Sequence, residues 1–409
     1  MDSVAENIAL GRRVNSFVMI SHGQTSPAPP ARRRLLQHSF HAPSLATNPI
    51  WPHAKLGIHP AMQDPSRSNI FMAEKLRMAQ YGTKHGHAEG VLQVMLDHPE
   101  VEVVGVYEPD SIRREQIENS SDQSWGKVKF VDSPSAFLDD PTVVAVTSEG
   151  ANKESLTFTE EIVAAGKHTF YDKPAGEDYP RFERVVEKAR SQGTYIQMGY
   201  MFRKHDGFER IANWARSGFL GHVFQVRAHM STWIAEDNPE GQFTGRKGLA
   251  HHQGGVMFDL GGHMLDQVVW ILGRPNKVTR FFQHATSETR DVMDNTLGVF
   301  EYEGAIATVD IAAMEPRPMA RRFEVYGTIG SAIMEPFEPA DTIRLTLEQD
   351  QGEYKKGVNI VKIEDRERYV DNFAEFVRNI KGESEPLRTL DHELLVQETL
   401  MRVTGGLGG

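Results

Sequence analysis

Short apolar runs alternate with longer helical stretches between residues 75 and 199, and this alternation restricts the fold more than any other feature. The runs typical of strands are residues 75–81, 101–107, 127–131, 142–147, 168–172 and 194–199. Helical patterns of about 10 to 15 residues lie between most of them. This alternation is typical of a parallel sheet with helices on both faces. The sequence therefore predicts a doubly wound α/β domain of Rossmann type over residues 72–200.

The pattern changes after residue 202 to longer strands of alternating polarity, of which clear examples are residues 222–230, 295–302, 305–312, 321–327 and 342–347. The Glu303-Gly304 pair between two of these runs is a hairpin signal. Helical segments at 369–380 and 392–403 close the chain. These features predict an α+β domain over residues 201–409, with a mostly antiparallel sheet covered by helices on one face. The open face of such a sheet commonly forms an interface.

Residues 1–71 have a different composition from the rest of the chain. Seven basic residues against three acidic ones give this segment a charge of 7 − 3 = +4, and it shows no sustained period of 2 or 3.6. We expect a mostly disordered extension, because nothing in it can bury an apolar face. Two alternatives stay open: an organelle transit peptide, which Asp2 and Glu6 oppose, or a true start at Met72.

Charge and cysteine content exclude several classes of function. Lys and Arg total 45 against 56 Asp and Glu, a net charge of −11, so the chain has no basic field to hold a nucleic acid. No stretch approaches the roughly 18 apolar residues of a membrane span. The absence of cysteine excludes disulfides, thiolate metal sites and cysteine nucleophiles. We expect a soluble, cytoplasmic protein with a small-molecule substrate.

The turn after the first strand, residues 82–87, reads G-T-K-H-G-H. Gly82, Thr83 and Gly86 are candidates to approach the phosphates of a dinucleotide, although the turn is shorter than G-x-G-x-x-G. Glu108 ends the second strand, where an acidic residue holds the ribose hydroxyls. A glycine turn in an ordinary α/β unit is the alternative.

The residues around this turn also bear on the choice of cofactor. Glu108 would repel a ribose 2′-phosphate and so favours NAD, while Arg113 and Arg114 keep NADP possible. His85 and His87 could contact phosphate or nicotinamide, but we expect them to be solvated turn residues.

Two segments carry the catalytic candidates. In Y-D-K-P-A-G at 171–176, Lys173 ends a strand, and the carboxyl ends of parallel strands are where an open α/β sheet binds ligands. In residues 254–270, Asp259, His263 and Asp266 fall at i, i+4 and i+7 on one helix face. The structural alternatives are a surface lysine, an aspartate at a helix N-terminus and a core histidine.

Oxidation of an alcohol requires a base, a cationic group near the oxygen and a hydride acceptor. His263 could take the proton, Asp259 could orient His263, and Lys173 could hold the oxygen and contact the cofactor. Asp266 would accept a bond from a second substrate hydroxyl. The two glycines at 261 and 262 suggest that substrate comes close to the helix there. We expect no metal: His251 and His252 precede Asp259 and His263, but no H-E-x-x-H or cysteine pattern accompanies them.

At these two segments the sequence resembles the Gfo/Idh/MocA family, which includes glucose–fructose oxidoreductase and inositol dehydrogenase. Members carry E-K-P after a Rossmann strand and G-G-G-x-x-x-D-x-G-x-H-x-x-D in the second domain. This chain has D-K-P at 172–174, and residues 254–266 match the second motif. Two departures lie on the cofactor side: the shortened turn, and T-S-E-G-A-N at 147–152 in place of T-P-N-x-x-H.

The resemblance implies catalytic positions for Lys173, Asp259 and His263, and cofactor positions for Gly82 and Glu108. It implies a sugar or polyol substrate, and homodimers or homotetramers formed through the open sheet. Substrate contacts would come from the residues that line the pocket in such folds, namely Arg203, Tyr200 and Trp233.

We therefore predict an NAD(P)-dependent dehydrogenase or reductase acting on CH–OH groups. A catalytically silent nucleotide-sensing regulator and an NAD-assisted glycosidase are the alternatives.

Overall fold

The computed structural model describes residues 74–120, 124–237 and 245–408. All of them belong to one compact unit, Ile70–Gly409. The predicted disordered extension lies outside the described residues. Two sheets organise this unit, one parallel and one mostly antiparallel, as the sequence predicts. Within the described residues no helix is both long enough and apolar enough to cross a membrane.

The first sheet has five parallel strands in the order β2-β1-β3-β4-β5. The strands are β1 Leu76–Tyr81, β2 Val101–Tyr107, β3 Val143–Ser148, β4 His168–Tyr171 and β5 Ile196–Met198. Their helices are α1 Ala88–Asp97, α2 Ser111–Glu118, α3 Ser135–Leu138, α4 Ser155–Ala164 and α5 Tyr179–Gln192. Strand order reverses at β1 and β3, and ligands bind beyond the carboxyl ends of strands at such a point.

The run at 127–131 is not a strand. Only Phe130 forms a bridge, to Val106 of β2, and a 3₁₀ turn covers Trp125–Lys127. The segment meets the edge strand β2 at this single residue pair, so it does not form a sixth strand of the sheet.

The second sheet has eight strands in the order β13-β12-β11-β10-β6-β9-β8-β7, with β6 and β9 parallel and the other pairs antiparallel. These strands are β6 Val223–His229, β7 Lys277–Gln283, β8 Asn295–Tyr302, β9 Ala305–Ala312, β10 Arg322–Gly327, β11 Gly330–Met334, β12 Thr342–Leu347 and β13 Gly357–Lys362. The predicted Glu303-Gly304 hairpin is confirmed, and Gly304 has the positive φ (76°) that the turn requires.

Five further helices complete the described part of the chain: α6 Asp206–Arg216, α7 Arg246–Leu249, α8 Val256–Leu272, α9 Val370–Ile380 and α10 Leu390–Thr404. Helices α6, α8 and α10 contact the second sheet. Helix α9, which falls in the predicted second domain, packs on the first sheet instead, where Phe373 and Phe376 each lie 5.8 Å from the ring of Phe170. The domain boundary at residue 200 remains a prediction. Helix α9 follows this boundary in the chain but packs on the sheet that precedes it.

Candidate active site

Lys173 follows β4 and reaches across to the first turn of α8. Its ammonium donates to the main-chain oxygen of Asp259 at 2.9 Å and to Asp259 Oδ1 at 3.2 Å. Both residues are buried. Burial opposes ionisation of Asp259, but the neighbouring Lys173 ammonium lowers the pKa of its carboxyl. Lys173 is therefore held between the two lobes. The alternative interpretation, that Lys173 is an ordinary surface lysine, is wrong.

His263 lies one helical turn beyond Asp259 on the same face of α8. Its ring packs edge-on against Tyr200 at 6.0 Å and Phe202 at 5.6 Å, and neither ring nitrogen has a hydrogen-bond partner. Burial lowers its pKa well below the usual 6.5, and the neighbouring Lys173 charge acts in the same direction. The imidazole is neutral near pH 7 and can accept a proton.

The predicted orientation of His263 by Asp259 is not what the structure shows. Asp259 Oδ1 accepts from Lys173 and, at 3.4 Å, from Asn152 Nδ2. The carboxylate thus positions the lysine, while aromatic packing holds the histidine.

A cavity of about 380 Å³ brings the catalytic candidates together. Lys173, Asp259 and His263 line it, and Trp233, which is 51% exposed, stands at its edge. The rest of the wall is formed by His85, Gly86, His87, Met201, Met230, Thr232, Ile234, Ala235, Leu260, Arg321, Glu338 and Arg368. Glu338 pairs with both Arg321 and Arg368, so the two guanidinium charges are partly balanced.

The glycine turn packs tightly against the residues that follow β3. Gly82 has a φ of +87°, and a Cβ there would lie 2.7 Å from the nitrogen of Gly150. Thr83 donates to Glu108 Oε2 through its main-chain nitrogen at 2.8 Å and through its hydroxyl at 2.6 Å. Glu108 is buried beneath the turn. Its role as a ribose ligand stays a prediction, and a ribose hydroxyl would share this carboxylate with Thr83.

The surroundings of the turn nevertheless fit a dinucleotide. A Cβ on Gly86 would meet no atom within 4 Å, so the backbone there faces open space. His85 lines both the 380 Å³ cavity and a second cavity of about 260 Å³, to which Asn152 and Lys153 also contribute. There is room on both sides of the turn, at the point where the strand order reverses.

The expectation that the turn histidines are solvated is wrong. His85 is 7% exposed, and its Nδ1 lies 3.0 Å from Asp172 Oδ2. His87 Nδ1 lies 3.0 Å from the same oxygen. Burial opposes ionisation of Asp172, but the two imidazoles hold the pKa of its carboxyl well below its usual range. Burial and the Asp172 charge raise the pKa of the adjacent Glu149 well above its usual value.

Sequence reasoning missed this cluster because it considered each strand end separately. The histidines follow β1, Glu149 follows β3 and Asp172 follows β4, and these three strands are neighbours in the sheet. Because the carboxyl ends of parallel strands share one edge, polar residues just after each strand were the available signal. No comparable signal marks Arg321 and Arg368, which come from distant segments.

Three predicted substrate contacts lie in the interior instead of on the cavity wall. Asp266 accepts from Arg203 Nη2 at 2.7 Å and is 2.8 Å from His392 Nε2, while Arg203 also pairs with Glu393 at 2.6 Å. Burial opposes ionisation of Asp266, but Arg203 and His392 hold its pKa far below the usual value. These side chains join α8, α10 and the segment after β5. The i+7 spacing turns Asp266 away from the cavity toward α10.

Tyr200 is the third of these residues, and it explains one of the helix glycines. A Cβ on Gly262 would lie 3.0 Å from the Tyr200 ring, and one on Gly261 would lie 2.6 Å from the sulfur of Met257. The sequence analysis expected substrate to lie close to the backbone of these two glycines. The side chains of Tyr200 and Met257 occupy that space instead.

This fold and site define a two-lobed α/β protein that binds a dinucleotide. Residues 78–200 match the family model for oxidoreductases with an NAD-binding Rossmann fold, and residues 208–333 match that for the GFO/IDH/MocA C-terminal domain. The chain belongs to the Gfo/Idh/MocA family of oxidoreductases, as predicted. The NAD prediction is confirmed, since its first lobe is an NAD-binding Rossmann domain.

Individual relatives are distant. The chain is 23% identical to 1,5-anhydro-D-fructose reductase of Ensifer adhaerens, over 64% of this chain and 76% of the relative. It is 24% identical to scyllo-inositol 2-dehydrogenase (NAD⁺) of Bacillus subtilis, over 57% and 66% respectively. The matches to the first three curated relatives span only 64%, 46% and 65% of those proteins.

Solved structures show the same fold. The structure of GenD2 from gentamicin A biosynthesis, in complex with NAD, superimposes with a TM-score of 0.66 at 20% identity, covering 86% of this chain and 97% of GenD2.

Proposed function

We propose that the protein transfers hydride between NAD and a CH–OH or C=O carbon of a sugar, polyol or related small molecule. The observation that carries this proposal is the placement of Lys173 and His263 on one cavity beside the glycine turn. The names of two relatives, a sugar reductase and an inositol dehydrogenase, support the substrate class. NAD, when bound, supplies the hydride acceptor or donor.

Each of the chain's groups has a defined part in this reaction. An ammonium has three donors, and Lys173 directs two of its hydrogen bonds to Asp259, which leaves one donor for a substrate oxygen. That donor would stabilise negative charge on the oxygen as hydride leaves the carbon. Neutral His263 would accept the hydroxyl proton. Asp259 acts through Lys173 and is a positioning residue.

The test is a titration of the full-length protein with NAD and NADP, followed by assays of NADH formation over a panel of sugars and cyclitols. Lys173→Met and His263→Ala should each lower turnover by about 100-fold or more. Lys247→Met and His222→Ala are matched controls on exposed residues and should turn over like the wild type. Unchanged turnover in both active-site variants would refute the residue roles.

The same assay separates the alternatives. Binding of NAD without turnover of any substrate would indicate a sensor. Release of a leaving group without net NADH would indicate a glycosidase.

We also propose that the protein forms a homodimer or homotetramer through the open face of the second sheet, with no nucleic-acid or membrane partner. The strand register places side chains of seven apolar residues on this face, opposite the helices: Phe281, Leu297, Val299, Ile306, Ile333, Val358 and Ile360. Four of them are about half exposed or more, which is unusual for an isolated soluble sheet: Phe281 57%, Ile306 48%, Val358 65% and Ile360 62%.

A further inference from the structure

Two imidazoles and a carboxylate meet beside the candidate active site. The Nδ1 atoms of His85 and His87 both lie 3.0 Å from Asp172 Oδ2. Ligand atoms of these three side chains lie within 4.8 Å of one another, and they form such a group within the described residues. Ligand atoms bound at 2.0–2.2 Å to one tetrahedral or octahedral ion lie about 3 to 3.5 Å apart. The 3.0 Å from each Nδ1 to Asp172 Oδ2 falls in this range, so each imidazole is placed to share a small cation with the carboxylate.

Unsatisfied polar groups surround this cluster. Glu149 is 0% exposed, and its carboxyl group shares a hydrogen bond with that of Asp172 but has no other partner among the described residues. The buried hydroxyl of Tyr369 also has no partner, and its ring is 5.4 Å from that of His87. Buried polar atoms are almost always satisfied, so the remaining oxygen of Glu149 and the Tyr369 hydroxyl are available to a further ligand at this place.

Charge points the same way. The carboxylates of Asp172 and Glu149 are neighbours in the interior, and the salt-bridge partners of Asp172 within the described residues are the two imidazoles. Lys173, the nearest permanent cation in sequence, is directed at Asp259. Two neighbouring buried carboxyl groups that share one proton form a place where a divalent ion can replace that proton and be bound by both groups.

We propose that His85, His87 and Asp172, with Glu149 as a further oxygen ligand, bind one divalent first-row transition-metal ion such as Zn²⁺. Two imidazole nitrogens with carboxylate oxygens favour Zn²⁺, Fe²⁺, Co²⁺ or Mn²⁺ over Mg²⁺ and Ca²⁺, which take mainly oxygen ligands. From the sequence we expected no metal, and the candidate ligands were His251, His252, Asp259 and His263. The structure gathers a different set.

The site borders the cavity, because His85 and His87 line its wall. A bound ion would face the space that also holds Lys173 and His263, within reach of a ligand's oxygen atom. The proposal does not rest on the proposed hydride transfer, since it follows from the side chains alone.

The test is a titration of metal-free, full-length protein with Co²⁺, whose visible absorption reports coordination number, followed by competition with Zn²⁺. We expect one tightly bound ion per chain that Zn²⁺ displaces. His87→Gln and Asp172→Asn should weaken Co²⁺ binding by about 100-fold or more, since loss of even an outer partner costs 10- to 100-fold. His222→Gln, an exposed histidine elsewhere, should bind like the wild type. This control is needed because the chain has 17 histidines.

X-ray absorption of the Zn²⁺-loaded wild type gives a second measurement that does not depend on variants being folded. Scattering from two imidazoles and additional oxygen ligands would support the site. Co²⁺ binding that is absent, or equally tight in wild type, His87→Gln and Asp172→Asn, would overturn the proposal, as would a Zn²⁺ spectrum with no imidazole. NADH formation is not a readout in either experiment, so failure here is distinct from failure of the proposed reaction.

Discussion

The ammonium of Lys173 shows how a single residue's neighbours define its chemistry. An isolated lysine at a strand end has no particular role, but this one is buried and held by two oxygens of Asp259. The aspartate keeps the charge in place and leaves one donor free for a ligand.

This arrangement predicts the effect of Asp259→Asn. The amide keeps an oxygen for Lys173 but loses the charge, so we expect kcat to fall by about 100-fold. If Asp259 acts through Lys173, the double variant with Lys173→Met should be no slower than Lys173→Met alone. Asp237→Asn is the matched control, because Asp237 forms a lysine pair, with Lys247, on the exposed surface. Multiplicative losses in the double variant would contradict the positioning role.

His263 makes a prediction about pH. A base must be unprotonated, so oxidation slows as pH falls through its pKa. Burial and the Lys173 charge lower the pKa of His263 well below 6.5. We therefore expect kcat/KM for alcohol oxidation to stay level as pH falls through 6.5, with the acid limb below that value. An acid limb at or above pH 6.5 that disappears in His263→Asn would contradict the lowered pKa.

At the scale of elements, the turn between β1 and α1 depends on one glycine. Gly82 combines a φ of +87° with a backbone neighbour 2.7 Å from the position of a Cβ. Neither feature tolerates a side chain, because the contact is with backbone and cannot rotate away.

Gly82→Ala is therefore expected to lower the melting temperature and to weaken NAD binding, at a cost of at least about 1 kcal/mol from the left-handed backbone alone. The control is Gly90→Ala in the same helix–turn unit, where a Cβ meets no atom within 4 Å. It should stabilise α1 by up to about 1 kcal/mol. Thermal unfolding and NAD titration of both variants measure these effects. Equal melting temperatures would show that the turn relaxes without cost.

At the scale of the whole molecule, the two lobes are joined by more than one crossing. Arg203, Asp266 and Glu393 form a buried ion network that links α8 to α10, and Glu393 also accepts from the main-chain nitrogen of Met198 in β5 at 3.2 Å. Helix α9 then returns to cover the first sheet. A cut at residue 200 would expose the phenylalanines of α9 and the face of β4 that they cover, so the lobes are expected to depend on each other.

The proposed interface on the open face of the second sheet can be tested by placing a charge on it. Ile306→Lys places a charge at one of the exposed apolar positions of this face and should convert the oligomer to monomers, because burying an unpaired charge is costly. Ile112→Lys, on an exposed position of α2, should leave the oligomer intact. Light scattering coupled to size-exclusion chromatography gives the mass directly. A wild-type monomer, or an unaffected Ile306→Lys oligomer, would rule out this interface.

The element order of both lobes was predictable from the sequence, since hydrophobic period and turn residues are local properties of the chain. The prediction of a strand at 127–131 was wrong. A strand must pair with a neighbour over several residues, and in this segment only Phe130 pairs with the edge strand. Lys173, Asp259 and His263 were found because their motifs are contiguous.

Only the tertiary structure decided which residues face the cavity. It turned Asp266 and Arg203 inward as mutual partners, gave Asp259 to Lys173 instead of His263, and gathered His85, His87 and Asp172 from separate strand ends. The physical reason is distance along the chain: a periodic pattern specifies an element and its buried face, whereas a hydrogen bond or ion pair between elements depends on how those elements pack.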